Sequence, residues 1–161
     1  MHADTTQPGC RRSAEPRLQL PLALAAVFVL LMTPDWARAA ESVVVIVNAG
    51  NNDRVTAETI LAIYSDTRRN WSNGSKVAIY ELPVKASARE AFSKAVLNKT
   101  AEEAQADWFR RKMDHSIKTM PSVKQDKLVV RFVSKYPDAI GYVPVSLIAG
   151  QSDVRVVMRI P

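Results

Sequence analysis

Cysteine is nearly absent: the 161 residues hold one, Cys10, ahead of the only long apolar run. Residues 40–161 have none, which excludes disulfides and thiolate metal sites there. Histidine is almost as scarce, with only His2 and His115. Residues 40–161 therefore cannot build a two-histidine metal site or a Cys/His nucleophilic pair. Asp114 and His115 are adjacent in the chain, and such neighbours rarely orient one another, so His115 reads as a surface loop residue. Gly50, Gly74, Gly141 and Gly150 match no nucleotide-cradling loop. No cofactor and no enzymatic activity are expected.

Long hydrophobic segments are also lacking. Leu22 to Met32 is an apolar run well short of the roughly 20 residues of a membrane span. With Arg11, Arg12 and Arg17 before it and Ala37-Arg38-Ala39 after it, the run reads as residues 1–39 of a cleavable export signal, cut after Ala39. Residues 40–161 are then an exported domain, periplasmic in a Gram-negative source. About 120 residues suffice for one domain but not for two well-packed lobes. Four of the 22 Lys and Arg and three of the 16 Asp and Glu precede Ala40, leaving 18 against 13. That excess of positive charge favours anionic partners.

Val43 to Val47 is a continuous β-branched run, as a strand buried on both faces should be. Thr56 can cap a helix carrying Ile60, Leu61 and Tyr64 and ending near Ser65. Trp71 reads as a lid over the edge of the core, and Asn73-Gly74 as a tight turn before a strand from Val77 to Leu82. Thr100 to Glu103 is a capping box opening a helix with Ala104, Trp108 and Phe109 on its buried side and Arg110-Arg111-Lys112 at its end. Ser122 to Gln125 is a weaker box before a helix carrying Leu128, Val129, Phe132, Val133 and Tyr136. Ala139 to Pro144 and Val154 to Ile160 read as closing strands, with Gly141 marking a close approach by another backbone. The order β-α-β-α-α-α-β-β predicts a single α/β domain, a mixed sheet flanked by helices.

Around Ser87 the sequence points to chemistry. Pro83 stops the strand, and Ser87-Ala88-Arg89-Glu90 reads as a capping box opening a helix that runs to about Leu97. A serine N-cap there implies that Ser87→Ala costs about 1 kcal/mol. A helix start at a strand end presents unpaired N–H groups and the positive end of the helix dipole, which together suit an anion. Lys85, Ser87, Ala88 and Arg89 are the candidate anion-binding residues.

Nearly all of residues 40–161 resembles one lobe of the substrate-binding protein of phosphate ABC transporters, a type 2 periplasmic binding protein. The matching residues are Ile63-Tyr64, Trp71 with Asn73-Gly74, the strand to Leu82, Arg89-Glu90-Ala91-Phe92 and Asp138-Ala139-Ile140-Gly141-Tyr142-Val143. The resemblance implies a three-layer lobe and a phosphate ligand held between two lobes, of which residues 40–161 supply one. It departs where the family's Ser-Gly-Thr triplet falls on Ala86-Ser87-Ala88, and where Ser65 and Asp66 stand in place of a glycine.

Two functions follow as expectations. In the first, the chain binds phosphate or another oxyanion, with a homodimer rebuilding the missing half of the cleft. In the second, it is a degenerate lobe that serves an envelope transporter or sensor through its surface. Trp108, Phe109 and Arg110 to Lys112 could suggest nucleic acid, but export and helical burial of the aromatics argue against it.

Overall fold

The computed structural model describes residues 41–117 and 120–161. The stretch read as an export signal lies outside the described residues. The strands are β1 (Val43–Asn48), β2 (Ala78–Glu81), β3 (Ser122–Val123), β4 (Ala139–Pro144) and β5 (Val154–Ile160). They form a mixed sheet of order β3-β2-β4-β1-β5. The helices are α1 (Ala57–Tyr64), α2 (Ser87–Phe92, passing directly into a π turn at Ser93–Leu97), α3 (Ala101–Met113) and α4 (Asp126–Lys135). The order is the one the sequence predicts, with β3 and a 3₁₀ turn at Val145–Ile148 added.

β1 lies between β4 and β5, antiparallel to both, and its residues Val43 to Val47 are buried. That central position explains the unbroken apolar run. β2 runs parallel to β4 and to β3. Side chains alternate along β4: Tyr142 stacks on Phe92 of α2 at 3.9 Å, whereas a Cβ at Gly141 would come within 2.5 Å of Val129 Cγ1 on α4. Since Tyr142 also approaches Tyr64 of α1, α1 and α2 cover one face and α4 the other, giving three layers. The close approach at Gly141 is thus mainly by a helix side chain, with the Tyr80 carbonyl oxygen farther off at 3.4 Å.

Local signals set most boundaries. Thr56 accepts the Thr59 N–H and caps α1. Asp66 takes the left-handed conformation at φ 64°, so the place where the family has glycine keeps a demanding backbone without it. Gly74 has φ 85°, and the Asn73 side chain accepts the Ser75 N–H. Trp71 is buried and donates its indole N–H to the Asp138 carbonyl at 2.8 Å, pinning the loop over the core edge as expected.

Thr100 and Glu103 form the reciprocal capping box of α3. Thr100→Ala is expected to cost about 1 kcal/mol, read as a shift in the urea midpoint with the slope unchanged. A loss under a few tenths of a kcal/mol would mean that Glu103 alone holds this helix start.

Three expectations are corrected. Ser122 and Val123 do not open a helix; they pair with Tyr80 and Glu81, the Lys124 N–H donates to the Glu81 carbonyl, and α4 starts at Asp126 with no side-chain cap. Phe109 is not buried but 54% exposed, because Ala101, Ala104 and Trp108 already form the inward stripe and Phe109 lies about 100° around the helix from Trp108. Leu128 and Tyr136 are likewise exposed, since α4 buries Val129, Val130 and Val133.

Candidate functional site

β2 delivers Glu81 and Leu82 to one end of the sheet, and Pro83 turns the chain, the Ala86 N–H donating to the Pro83 carbonyl at 2.9 Å. α2 then begins, one residue earlier than the capping box requires. Ala86 is the N-cap, with extended φ and ψ of −74° and 128°, and Ser87 is already helical. Glu90 does not return to the Ser87 amide. Its carboxylate accepts the Ala101 N–H at 2.8 Å and pairs with Lys94 at 3.0 Å. Those contacts, the Ala101 amide foremost, hold the Glu90 carboxyl below its ordinary pKa. Glu90 therefore joins the start of α2 to the start of α3. The capping box at Ser87 is corrected, and Ser87→Ala is now expected to change stability by no more than about 0.5 kcal/mol in urea unfolding.

The candidate residues divide into two groups. Lys85 and Ser87 are exposed, and the Ser87 and Ala88 N–H groups make no hydrogen bond among the described residues. The Arg89 and Glu90 amides both donate to the Ala86 carbonyl, at 3.0 and 3.2 Å. A hydroxyl, an ammonium and two amides without partners thus fall within the four residues 85–88 where β2 hands over to α2; Lys85 and Ser87 are exposed and Ala88 is buried.

Arg89 lies behind that surface. Its side chain is 1% exposed; Nη2 donates to the Glu81 carboxylate at 2.6 Å and Nη1 to the Leu82 carbonyl at 2.5 Å. The structure does not bring its guanidinium to the exposed group. The positive charge is matched inside the protein and ties the end of β2 to the first turn of α2. Burial pushes the Glu81 carboxyl up from its ordinary pKa, against the Arg89 charge and a hydrogen bond from Trp108, which act the other way. The Arg89 Nε and the Tyr64 and Tyr142 hydroxyls are buried beside this pair without hydrogen-bond partners. Burial raises the pKa of both tyrosines.

Glu81 was not singled out from the sequence. The available signal was a single acidic residue inside the apolar strand Val77 to Leu82, eight positions before an arginine. A buried acid of that kind needs a partner.

Electrostatically the site is half open. The Glu81–Arg89 pair is internally neutral, so the exposed field comes from Lys85 and the start of the helix. Such a surface can donate hydrogen bonds to an oxyanion and offset its negative charge. Among the described residues it has no group placed for covalent chemistry, and no cluster of three or more metal-ligating side chains occurs.

No protein-family profile matches the chain, and no curated protein matches it. Solved structures do. A phosphate-bound substrate-binding protein assigned to a phosphate ABC transporter of Clostridium perfringens superposes with TM-score 0.57 at 19% identity, covering 73% of this chain and 44% of that one. An ABC-type phosphate transport receptor from Vibrio cholerae gives 0.56 at 14% identity, over 73% and 46%. PstS from Borrelia burgdorferi gives 0.55 at 19% identity, over the same shares. The chain spans less than half the length of these proteins, and what it shares with them is the fold of part of a phosphate ABC transporter substrate-binding protein.

Proposed function

We propose that residues 40–161 are an exported oxyanion-binding lobe, phosphate being the first ligand to test. The observation that carries this reading is the pair of unpartnered amides at Ser87 and Ala88, placed beside Lys85 and the Ser87 hydroxyl. Arg89 serves here as a positioning residue, fixing the helix start from behind through Glu81 and the Leu82 carbonyl. The Clostridium perfringens protein of similar fold has phosphate bound and the Vibrio cholerae one is a phosphate transport receptor, which supports the choice of ligand. A lone open lobe leaves its anion in water, where each charged contact contributes about 1 kcal/mol or less. Tight binding then requires a second surface, and a second copy of the chain is the simplest one. No helix among the described residues is long and apolar enough to cross a membrane. We place the domain in the periplasm of a Gram-negative cell, delivered by residues 1–39.

The test is a phosphate titration followed at backbone amides, with the oligomeric state measured by light scattering. Saturating shifts at Ser87 and Ala88 are expected in the millimolar range for a monomer and about the micromolar range for a closed dimer. Lys85→Ala should weaken binding severalfold without changing the fold. No shift at those amides by about 10 mM phosphate would overturn the proposal.

One observation favours a second reading. Of the two candidate cations, Arg89 is turned inward, and alanine occupies both outer positions of the triplet, Ala86 and Ala88. A lobe retained for its surface, serving an envelope transporter or sensor without a ligand, fits those features. Silence in the phosphate titration, with capture of an envelope partner, would select it.

A further inference from the structure

A cavity of about 450 Å³ opens along the first half of β2, away from Lys85 and Ser87, within the roughly 300–1,000 Å³ of small-ligand sites. Its wall is apolar where Val77, Ile79, Ile117, Met120 and Trp108 line it. At Ala78 and Ile79, β2 is bonded to β4, while β3 joins it only from Tyr80 onward, so the sheet does not fill this side.

The charged lining is selective because most of it is already matched. Arg69 holds Asp66 through two hydrogen bonds, at 3.0 and 2.6 Å, and Arg68 pairs with Asp53 at 2.8 Å. That leaves one ammonium, Lys76, and one carboxylate, Asp138, whose side chains have no ion pair or hydrogen bond among the described residues. The two belong to the same end of the sheet, since the Ala78 N–H donates to the Asp138 carbonyl at 2.9 Å. A ligand that satisfies both must carry one charge of each sign, and the remaining wall asks for an apolar body.

We propose that this cavity binds a free α-amino acid with an apolar side chain, its carboxylate toward Lys76, its ammonium toward Asp138 and its side chain against Ile117, Met120 and Trp108. The site shares no residue with the start of α2. It stands or falls separately from the anion site.

The full chain is titrated with L-leucine and L-phenylalanine, read by calorimetry. Saturable binding is expected, with Lys76→Ala and Asp138→Asn each weakening it about tenfold. Neither side chain has a structural partner, so both variants should fold normally, as a circular dichroism melt would verify. N-acetyl-L-leucine and L-leucinamide, each lacking one charge, should bind about tenfold more weakly than leucine. Absence of saturation by about 10 mM, equal binding of either blocked analogue, or indifference to both variants would overturn the proposal. Phosphate should not compete. Phosphate shifts at Ser87 with no amino acid binding would sink this inference alone, and the reverse result would sink the anion site alone.

Discussion

Arg89→Met is expected to destabilise the protein by about 3–5 kcal/mol at neutral pH, although the variant has a side chain of similar length. The loss comes from its partner. Glu81 is 3% exposed and receives its charge-matching hydrogen bond from Arg89, so truncating the arginine leaves a buried carboxylate unpaired. The Leu82 carbonyl loses a bond at the same time. Converting both members, with Glu81→Gln and Arg89→Met together, should recover much of the loss, because an uncharged pair has less desolvation to offset.

The pH dependence supplies an independent check. In the folded protein burial raises the Glu81 pKa above its ordinary value. A carboxyl raised on folding contributes stability that is fully present below its unfolded pKa and is lost as pH rises through the folded value. In Arg89→Met the opposing arginine charge is gone, so the folded value rises further and the damage should shrink on acidification. Urea midpoints at pH 7 and pH 5 would show it. A deficit under about 1 kcal/mol at pH 7, or one that grows on acidification, would mean that the pair is not the joint described here.

This joint also explains why the site was only partly legible in the sequence. The location was readable: Pro83 after an apolar strand and a helix signal a few residues on place a helix start at a strand end, and the structure has one there. Side-chain direction was not. Ser87 and Glu90 have the spacing of a capping box, but Glu90 finds a better acceptor role at the Ala101 amide, eleven residues later, and only tertiary structure brings α3 to it. Arg89 next to a presumed anion site reads as a ligand until a buried acid faces it from β2.

The fold was more legible, for physical reasons that differ by element. Val43 to Val47 could be nothing but a doubly covered strand, and Thr100 with Glu103 formed the box that its spacing predicted. Those signals are local. β3 is only two residues long and exists because Ser122 and Val123 meet the free edge of β2, a fact of register that no local pattern carries. Phe109 was misplaced for a related reason: adjacent aromatics at Trp108 and Phe109 cannot share one helix face, and only the packing decides which turns inward.

Within residues 40–161 the Arg89 charge is matched by Glu81 inside the core, which leaves Lys85 and the Ser87 hydroxyl as the exposed polar side chains at this helix start.

Phe92→Ala is the second large effect, an expected loss of about 3–5 kcal/mol. Phe92 is 1% exposed and is the contact through which α2 meets the sheet: its ring lies nearly parallel to Tyr142, 3.9 Å away with a 3° interplanar angle, and tilted against Tyr64 at 4.6 Å. Removing the ring leaves a cavity bordered by the rings of Tyr64 and Tyr142. Phe92→Leu keeps most of the volume but not the ring contacts, and should cost roughly half as much. Thermal and urea unfolding of both variants would measure this, with near-ultraviolet circular dichroism reporting whether Tyr142 stays ordered. If Phe92→Ala cost under about 1 kcal/mol, α2 would have to be held by Arg89 and Glu90 rather than by its apolar face. The ion pair would then be the chief attachment of this helix, and the Arg89→Met result would decide whether it is.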